Sequence, residues 1–185
     1  MADLVHHSTE QLPPDLAAQF KTLFEQVFLD DVVDENPMFE SPFVPGRTLE
    51  HFIILEGDQL IGHADVSEHV ISHLGETYRL CGVGEVMTHP DFRRAGHAQR
   101  AVAAASDYIR TTDADIGMLF TMPELESFYG SSGWETINTQ GITFSDPDQP
   151  RFDDAYVMML FLSDRAKAHR ADFEHGPIYV GHLLW

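Results

Sequence analysis

The stretch VGEVMTHPDFRRAGHA, residues 83–98, decides the reading of this sequence. It starts as a strand, turns at residues 90–96 and enters a helix at Gly96. Arg93, Arg94 and Gly96 crowd the turn. The first N–H groups of a helix lack partners within it, and the helix dipole adds positive potential there. A glycine lets an anion approach the backbone closely. The junction therefore reads as a phosphate site, with a solvated arginine turn as the plainer alternative. It is not a dinucleotide fingerprint, because Gly82 and Gly84 are followed by Met87 where a third glycine should stand. No Gly-Lys-Ser/Thr phosphate loop occurs either.

Working downstream, Ala98, Ala101, Val102, Ala105, Tyr108 and Ile109 lie on one face of a helix, with residues small enough to approach a sheet closely. A short strand follows at 115–121, then a short helix at 123–130 with Pro123 in its first turn. Further strands are expected at 134–144 and 155–162, split by a polar loop. Upstream, 51–55, 60–71 and 78–88 read as strands separated by turns at 56–59 and 73–76, an antiparallel meander over 48–88. Leu16, Phe20, Leu23, Phe24, Val27 and Phe28 form an apolar stripe on a helix starting near Pro13-Pro14-Asp15. A Pro-broken loop occupies 36–46. The sum is an α/β (α+β) fold, one domain over 1–185, with a mixed, mostly antiparallel central sheet flanked by helices.

Composition narrows the partners. The 185 residues carry 30 Asp+Glu against 11 Lys+Arg, a formal net charge of −19, and the only lysines are Lys21 and Lys167. Such a surface repels nucleic acid and anionic membranes and attracts small polycations. Solubility alone is the competing explanation of the charge. No apolar run is long enough to span a membrane, and the N-terminus has no secretory pattern. The single cysteine, Cys81, excludes an internal disulfide framework and reads as a buried core thiol in a cytoplasmic protein. His69 and His73 share a strand face with His63 nearby. Without a His-Glu-x-x-His helix or further cysteines, no metal is expected.

Arg93-Arg94-Ala95-Gly96-His97-Ala98 resembles the Arg/Gln-x-x-Gly-x-Gly/Ala pyrophosphate loop of the GNAT N-acetyltransferases. Ser127-Phe-Tyr-Gly-Ser-Ser-Gly-Trp134 resembles that superfamily's Phe-Tyr-x-x-x-Gly-Trp/Phe segment. Residues 51–134 are most similar to the aminoglycoside 2′-N-acetyltransferases, through Gly62-His63-Ala64, Arg79-Leu-Cys-Gly82, Tyr129-Gly-Ser-Ser-Gly-Trp134 and a terminal Trp185. Two departures stand out. Cys81-Gly82-Val83-Gly84-Glu85-Val86 places Glu85 one residue off the family's glutamate, or exchanges glycine and glutamate. The acidic residue that precedes the family's C-terminal tryptophan is absent.

The resemblance implies acetyl transfer from acetyl-CoA to a primary amine of a small cationic acceptor, an aminoglycoside or aminosugar among the options, and with it antibiotic resistance. Val86, Met87, Thr88, Arg93, Arg94, Ala95, Gly96, His97 and Ala98 would hold the cofactor. A bulge at Gly84 would splay the Val86 and Met87 N–H groups toward the thioester carbonyl. Glu85 would be the base and Tyr129 the acid. A cationic acceptor calls for carboxylates, and the candidates are Asp30, Asp31, Asp34, Glu35, Asp153, Asp154 and the α-carboxylate of Trp185. Each is equally readable as solvated surface. No nucleic acid, membrane or metal partner is expected, and a homodimer is left open. The rival reading is a catalytically silent CoA-binding or ligand-sequestering module.

Overall fold

The computed structural model describes residues 2–33 and 47–181, with side chains outside the description at 29–33. Its frame is the antiparallel set β2 (Glu50–Glu56), β3 (Gln59–His73) and β4 (Glu76–Thr88). This is the meander expected over 48–88. The β3–β4 turn places Leu74 at φ 48° and Gly75 at φ 87°, the left-handed pair whose twist matches a tight hairpin. A further strand, β1 (Asp3–Ser8), pairs antiparallel with β2 from Asp3↔Leu55 to Ser8↔Glu50. The sequence reading passed over it because an edge strand this polar and exposed carries little apolar alternation.

Beyond β4 the chain crosses through α2 (His97–Ile109) to β5 (Ile116–Thr121), which lies parallel to β4. β9 (Tyr156–Phe161) pairs antiparallel with β5, and β6 (Glu135–Ile137) with β9. The strand expected over 134–144 is instead two strands at different places in the sheet. β7 (Ile142–Phe144) joins β8 (Arg151–Asp153) and β10 (Ile178–Tyr179), after the chain turns at Gly141 with φ 94°. The sheet runs β1-β2-β3-β4-β5-β9-β6, and β10-β7-β8 attach beside the far end of β3 at Tyr179↔Ser72. The short helices α3 (Glu126–Gly130) and α4 (Asp164–Ala168) follow β5 and β9. The expected class holds: a mixed, mostly antiparallel sheet with helices on it.

Strand alternation divides the side chains between two helices. Phe52, Ile54, Ala64, Val66 and Val83 join Ala101, Val102, Ala105 and Ile109 of α2 in one core. Ile53, Leu60 and Met87 meet Leu16, Phe20 and Leu23 of α1 (Pro14–Val33) in another. The apolar stripe on α1 exists to fill this second core. In the first, the Trp134 indole N–H donates to Ser106 Oγ at 2.8 Å, and the Ser106 hydroxyl donates to the Val102 carbonyl at 2.7 Å.

Replacing Ser106 by alanine leaves a buried indole N–H with no acceptor. The expected loss is about 1–3 kcal/mol of unfolding free energy, measured as a lower urea midpoint at unchanged slope. A midpoint equal to wild type would show that the indole finds another acceptor.

Candidate active site

Two backbone events in β4 create the site. The first is a bulge. His63 pairs with Met87 and Asp65 with Gly84, so Glu85 and Val86 together oppose Ala64. Glu85 takes φ 45°, a left-handed conformation that costs a non-glycine residue roughly 1–2 kcal/mol. The bulge therefore falls one residue later than the Gly84 position expected from sequence. It also resets the alternation: Val86 packs in the α2-side core and Met87 in the α1-side core. The second event is a gap. β4 and β5 are laddered only from Leu80↔Ile116 to Gly82↔Met118, although β4 continues to Thr88 and β5 to Thr121. Past Gly82 the two strands part, and the β5-facing backbone of 83–88 has no β5 partner.

The α1-side face of the meander next to the bulge is polar, which is unusual for a sheet interior. His51 is 2% exposed, His63 0% and Asp65 1%. Burial lowers the imidazoles, His51 to about 4 and His63 to about 3, so both are neutral. The Asp65 carboxyl is held well above the usual carboxylate range, first by burial, with the Arg47 charge and a poorly aligned Gly84 N–H offsetting only part of it. Among the described residues, neither Asp65 oxygen has a hydrogen-bond partner of normal geometry. Glu85 is raised too, by burial and then by repulsion from Asp65. A buried carboxyl and a half-buried one side by side cannot both ionise cheaply, so the pair retains a proton toward neutral pH. Donor atoms of His51, His63 and Asp65 lie within 4.8 Å of one another, a set that could hold a metal ion, though the two imidazoles already hydrogen-bond each other at 3.0 Å.

The α2 entrance has the features of an anion cradle. Arg94 (φ 65°) and Gly96 (φ 79°) are both left-handed. The first turn of α2 holds no acidic residue and no side-chain cap. A Cβ built on Gly96 would meet nothing within 4 Å, so the space in front of the helix is open. Arg93 and Arg94 are exposed around it, with the Arg93 Nε–H 3.5 Å from the Thr88 carbonyl. His97 opens the helix with a buried Nδ1 that has no partner. These features fit a pyrophosphate. On the same side of the sheet, Tyr129 of α3 is 6% exposed and shares a core with Val83, Val86 and Leu119. Burial pushes its phenol up to about 12, the Thr121 hydroxyl offsetting little, so the hydroxyl keeps its proton.

Glu85, Val86, Met87 and Thr88 thus border the gap, Tyr129 packs beside it, and residues 93–98 form the turn at its α2 end. The acceptor carboxylates named from sequence do not join them. Asp153 and Asp154 sit at the β8 end, three strands past Ser72, itself roughly 23 Å along β3 from Asp65. Asp30 and Asp31 lie in the last turns of α1, with side chains outside the description. Asp34, Glu35 and Trp185 lie outside the described residues. His69 and His73 do not form a cluster with His63: His69 bonds Ser67 Oγ, and His73 bonds the Asp172 carbonyl. The sequence reading missed Asp65 and the pairing of His51 with His63. Their one sequence signal is a polar residue at alternate positions of otherwise apolar strands.

A gapped β4–β5 pair, a β4 bulge and a glycine turn at the following helix define an acetyl-CoA-type transferase fold. The family model for the acetyltransferase (GNAT) domain matches residues 10–137, more than half of the chain, and this protein belongs to that family. Solved structures agree in fold. The GNAT family N-acetyltransferase YhbS of Escherichia coli, in complex with CoA, aligns with a TM-score of 0.60 at 15% identity, over 98% of this chain and 91% of that one. ElaA of E. coli gives 0.59 at 16% identity, over 86% and 99%. A probable N-acyltransferase from Enterococcus faecalis gives 0.56 at 14%, over 74% of this chain but 33% of its own longer one. No curated protein matches the sequence. No helix among the described residues is long and apolar enough to cross a membrane.

The buried carboxyl has a measurable signature. Unfolded, Asp65 titrates near 3.8; folded, it keeps its proton to higher pH. Between those values the native state binds more protons, so stability falls as pH rises. The imidazoles act oppositely, removing stability as pH falls from 6.5 toward their folded values. Wild type should therefore lose Tm relative to Asp65→Asn as pH rises from about pH 4 to about pH 7, the imidazole contribution being common to both. Parallel Tm curves would show that Asp65 ionises in the fold without cost.

Proposed function

We propose that the protein transfers an acetyl group from acetyl-CoA to a primary amine of a small cationic acceptor in a ternary complex. The observation that carries this reading is the β4–β5 gap with a carboxyl on one face of the sheet, at Glu85, and a protonated phenol on the other, at Tyr129. The Arg94–Ala98 turn would hold the pyrophosphate through backbone N–H groups and the two arginines. Bound acetyl-CoA supplies an electrophilic thioester carbonyl. The Val86 N–H, next to the bulge, is the donor for its oxygen; the Met87 N–H, also named from sequence, turns toward β3, because Met87 stands opposite His63 in the register that pairs the His89 N–H with the Ile61 carbonyl. Glu85 takes a proton from the acceptor ammonium, directly or through water. As nitrogen adds and the C–S bond breaks, Tyr129 gives its proton to the departing sulfur and recovers one from the nitrogen. A base raised toward neutrality is well matched to an amine.

The acidic composition and the Asp65–Glu85 pair support a cationic acceptor, and aminosugars and aminoglycosides are members of that class. The test is thiol release from acetyl-CoA with a panel of diamines, polyamines, aminosugars and aminoglycosides. Tight CoA binding with no turnover on any amine would favour the silent CoA-binding module.

Tyr129→Phe should lower kcat by about 10²-fold or more with CoA affinity within a factor of two by calorimetry. Undiminished turnover would leave Tyr129 a packing residue. Gly96→Val should weaken CoA by at least about tenfold, because a β-branched residue resists φ 79° and fills the cradle. Unchanged CoA affinity in a folded variant would move the pyrophosphate elsewhere.

A further inference from the structure

The Glu85 carbonyl belongs to the extra residue of a bulge, so the β3–β4 ladder offers it no regular partner. His63 supplies one: its Nδ1 lies 2.8 Å from that oxygen. A carbonyl only accepts, so Nδ1 carries the proton. His63 is fully buried and neutral, which leaves Nε2 as a lone pair. His51 Nδ1 stands 3.0 Å from Nε2 and must be the donor. His51 Nε2 is then an acceptor, 3.2 Å from the Thr9 hydroxyl. Thr9 Oγ1 takes the Leu49 N–H at 2.8 Å. The Leu49 carbonyl takes the Thr9 N–H at 2.8 Å and also lies 3.1 Å from the Thr9 hydroxyl, so that hydroxyl proton is shared between the carbonyl and His51 Nε2. From His51 Nδ1 to the Glu85 carbonyl each donor and acceptor has a fixed direction, and such chains strengthen cooperatively. Phe20 of α1 stacks on His63 at 4.4 Å and meets His51 edge-on at 5.3 Å, covering both imidazoles.

We propose that His63 and His51 are positioning residues for acetyl transfer: they form a buried, one-directional hydrogen-bond chain, anchored at the exposed Thr9, that holds the Glu85 bulge. The bulge sets where the Val86 N–H and the Glu85 carboxyl point. The chain thus ties the geometry of the reacting segment to the segment after β1, which does not border the gap. The role rests on the function proposed above; the chain itself does not.

The first test is long-range 1H–15N NMR of histidine-labelled wild type. His63 and His51 should both be neutral with the proton on Nδ1, the minor tautomer of a free histidine side chain. Either ring protonated on Nε2 alone overturns the chain. The second test is His63→Phe, which keeps ring volume and stacking but removes both nitrogens. It should lower kcat by about tenfold to a hundredfold, the scale of a small misplacement of reacting groups, with CoA affinity unchanged by calorimetry. Thr9→Val should do the same more mildly. Unchanged kcat in a folded His63→Phe overturns the positioning role, and should that variant not fold, the tautomers and Thr9→Val decide. Titration with Zn²⁺ alone separates the competing use of these atoms: stoichiometric binding that shifts His63 Nε2 and His51 Nδ1 replaces the chain with a metal centre. A wild type inactive on every amine would refute the function while the NMR result stood on its own.

Discussion

One extra residue in β4 governs the arrangement around it. Strand side chains alternate between faces, so an inserted residue reverses the parity of all that follow. With the bulge at Glu85, Met87 completes the α1-side core while Val86 turns to the α2 side. The same insertion bends the strand where the ladder with β5 has ended. The bulge residue Glu85 borders the gap, and its carbonyl takes a hydrogen bond from His63 of the neighbouring strand.

Electrostatics are divided in space. A chain with net charge −19 exposes two arginines at a helix N-terminus that carries no acid in its first turn. Repulsion elsewhere on the surface makes that turn the preferred place for an anion. The carboxyls at Asp65 and Glu85 are instead inside, beside neutral imidazoles. Burial there works against ionisation, so a proton is retained in the region where an amine would lose one. The acid content that stands out in the composition and the carboxyls that border the site are largely different residues.

Much of the fold was legible. The α1 stripe, the three-strand meander, the small-residue face of α2 and the Gly96 turn are local patterns, in which neighbours along the chain are neighbours in space. β1 and the splitting of β6 from β7 were not legible, because an exposed edge strand and a change of sheet position leave no strong periodicity. For the site, the turn at 93–98 and Tyr129 were within reach through their motifs. The register of Glu85 was not, because a bulge is a property of two strands together. Asp153 and Asp154 were chosen by charge alone, and the fold puts them at the far end of β3.

The sequence by itself determined the class of fold and the glycine turn at the entrance of α2, since these rest on periodicity and on contacts within a few residues. Only the tertiary structure decided that His51, His63, Asp65 and Glu85 share one buried face. They come from three strands, and their meeting depends on strand pairing and on one inserted residue, neither of which any short stretch of sequence encodes.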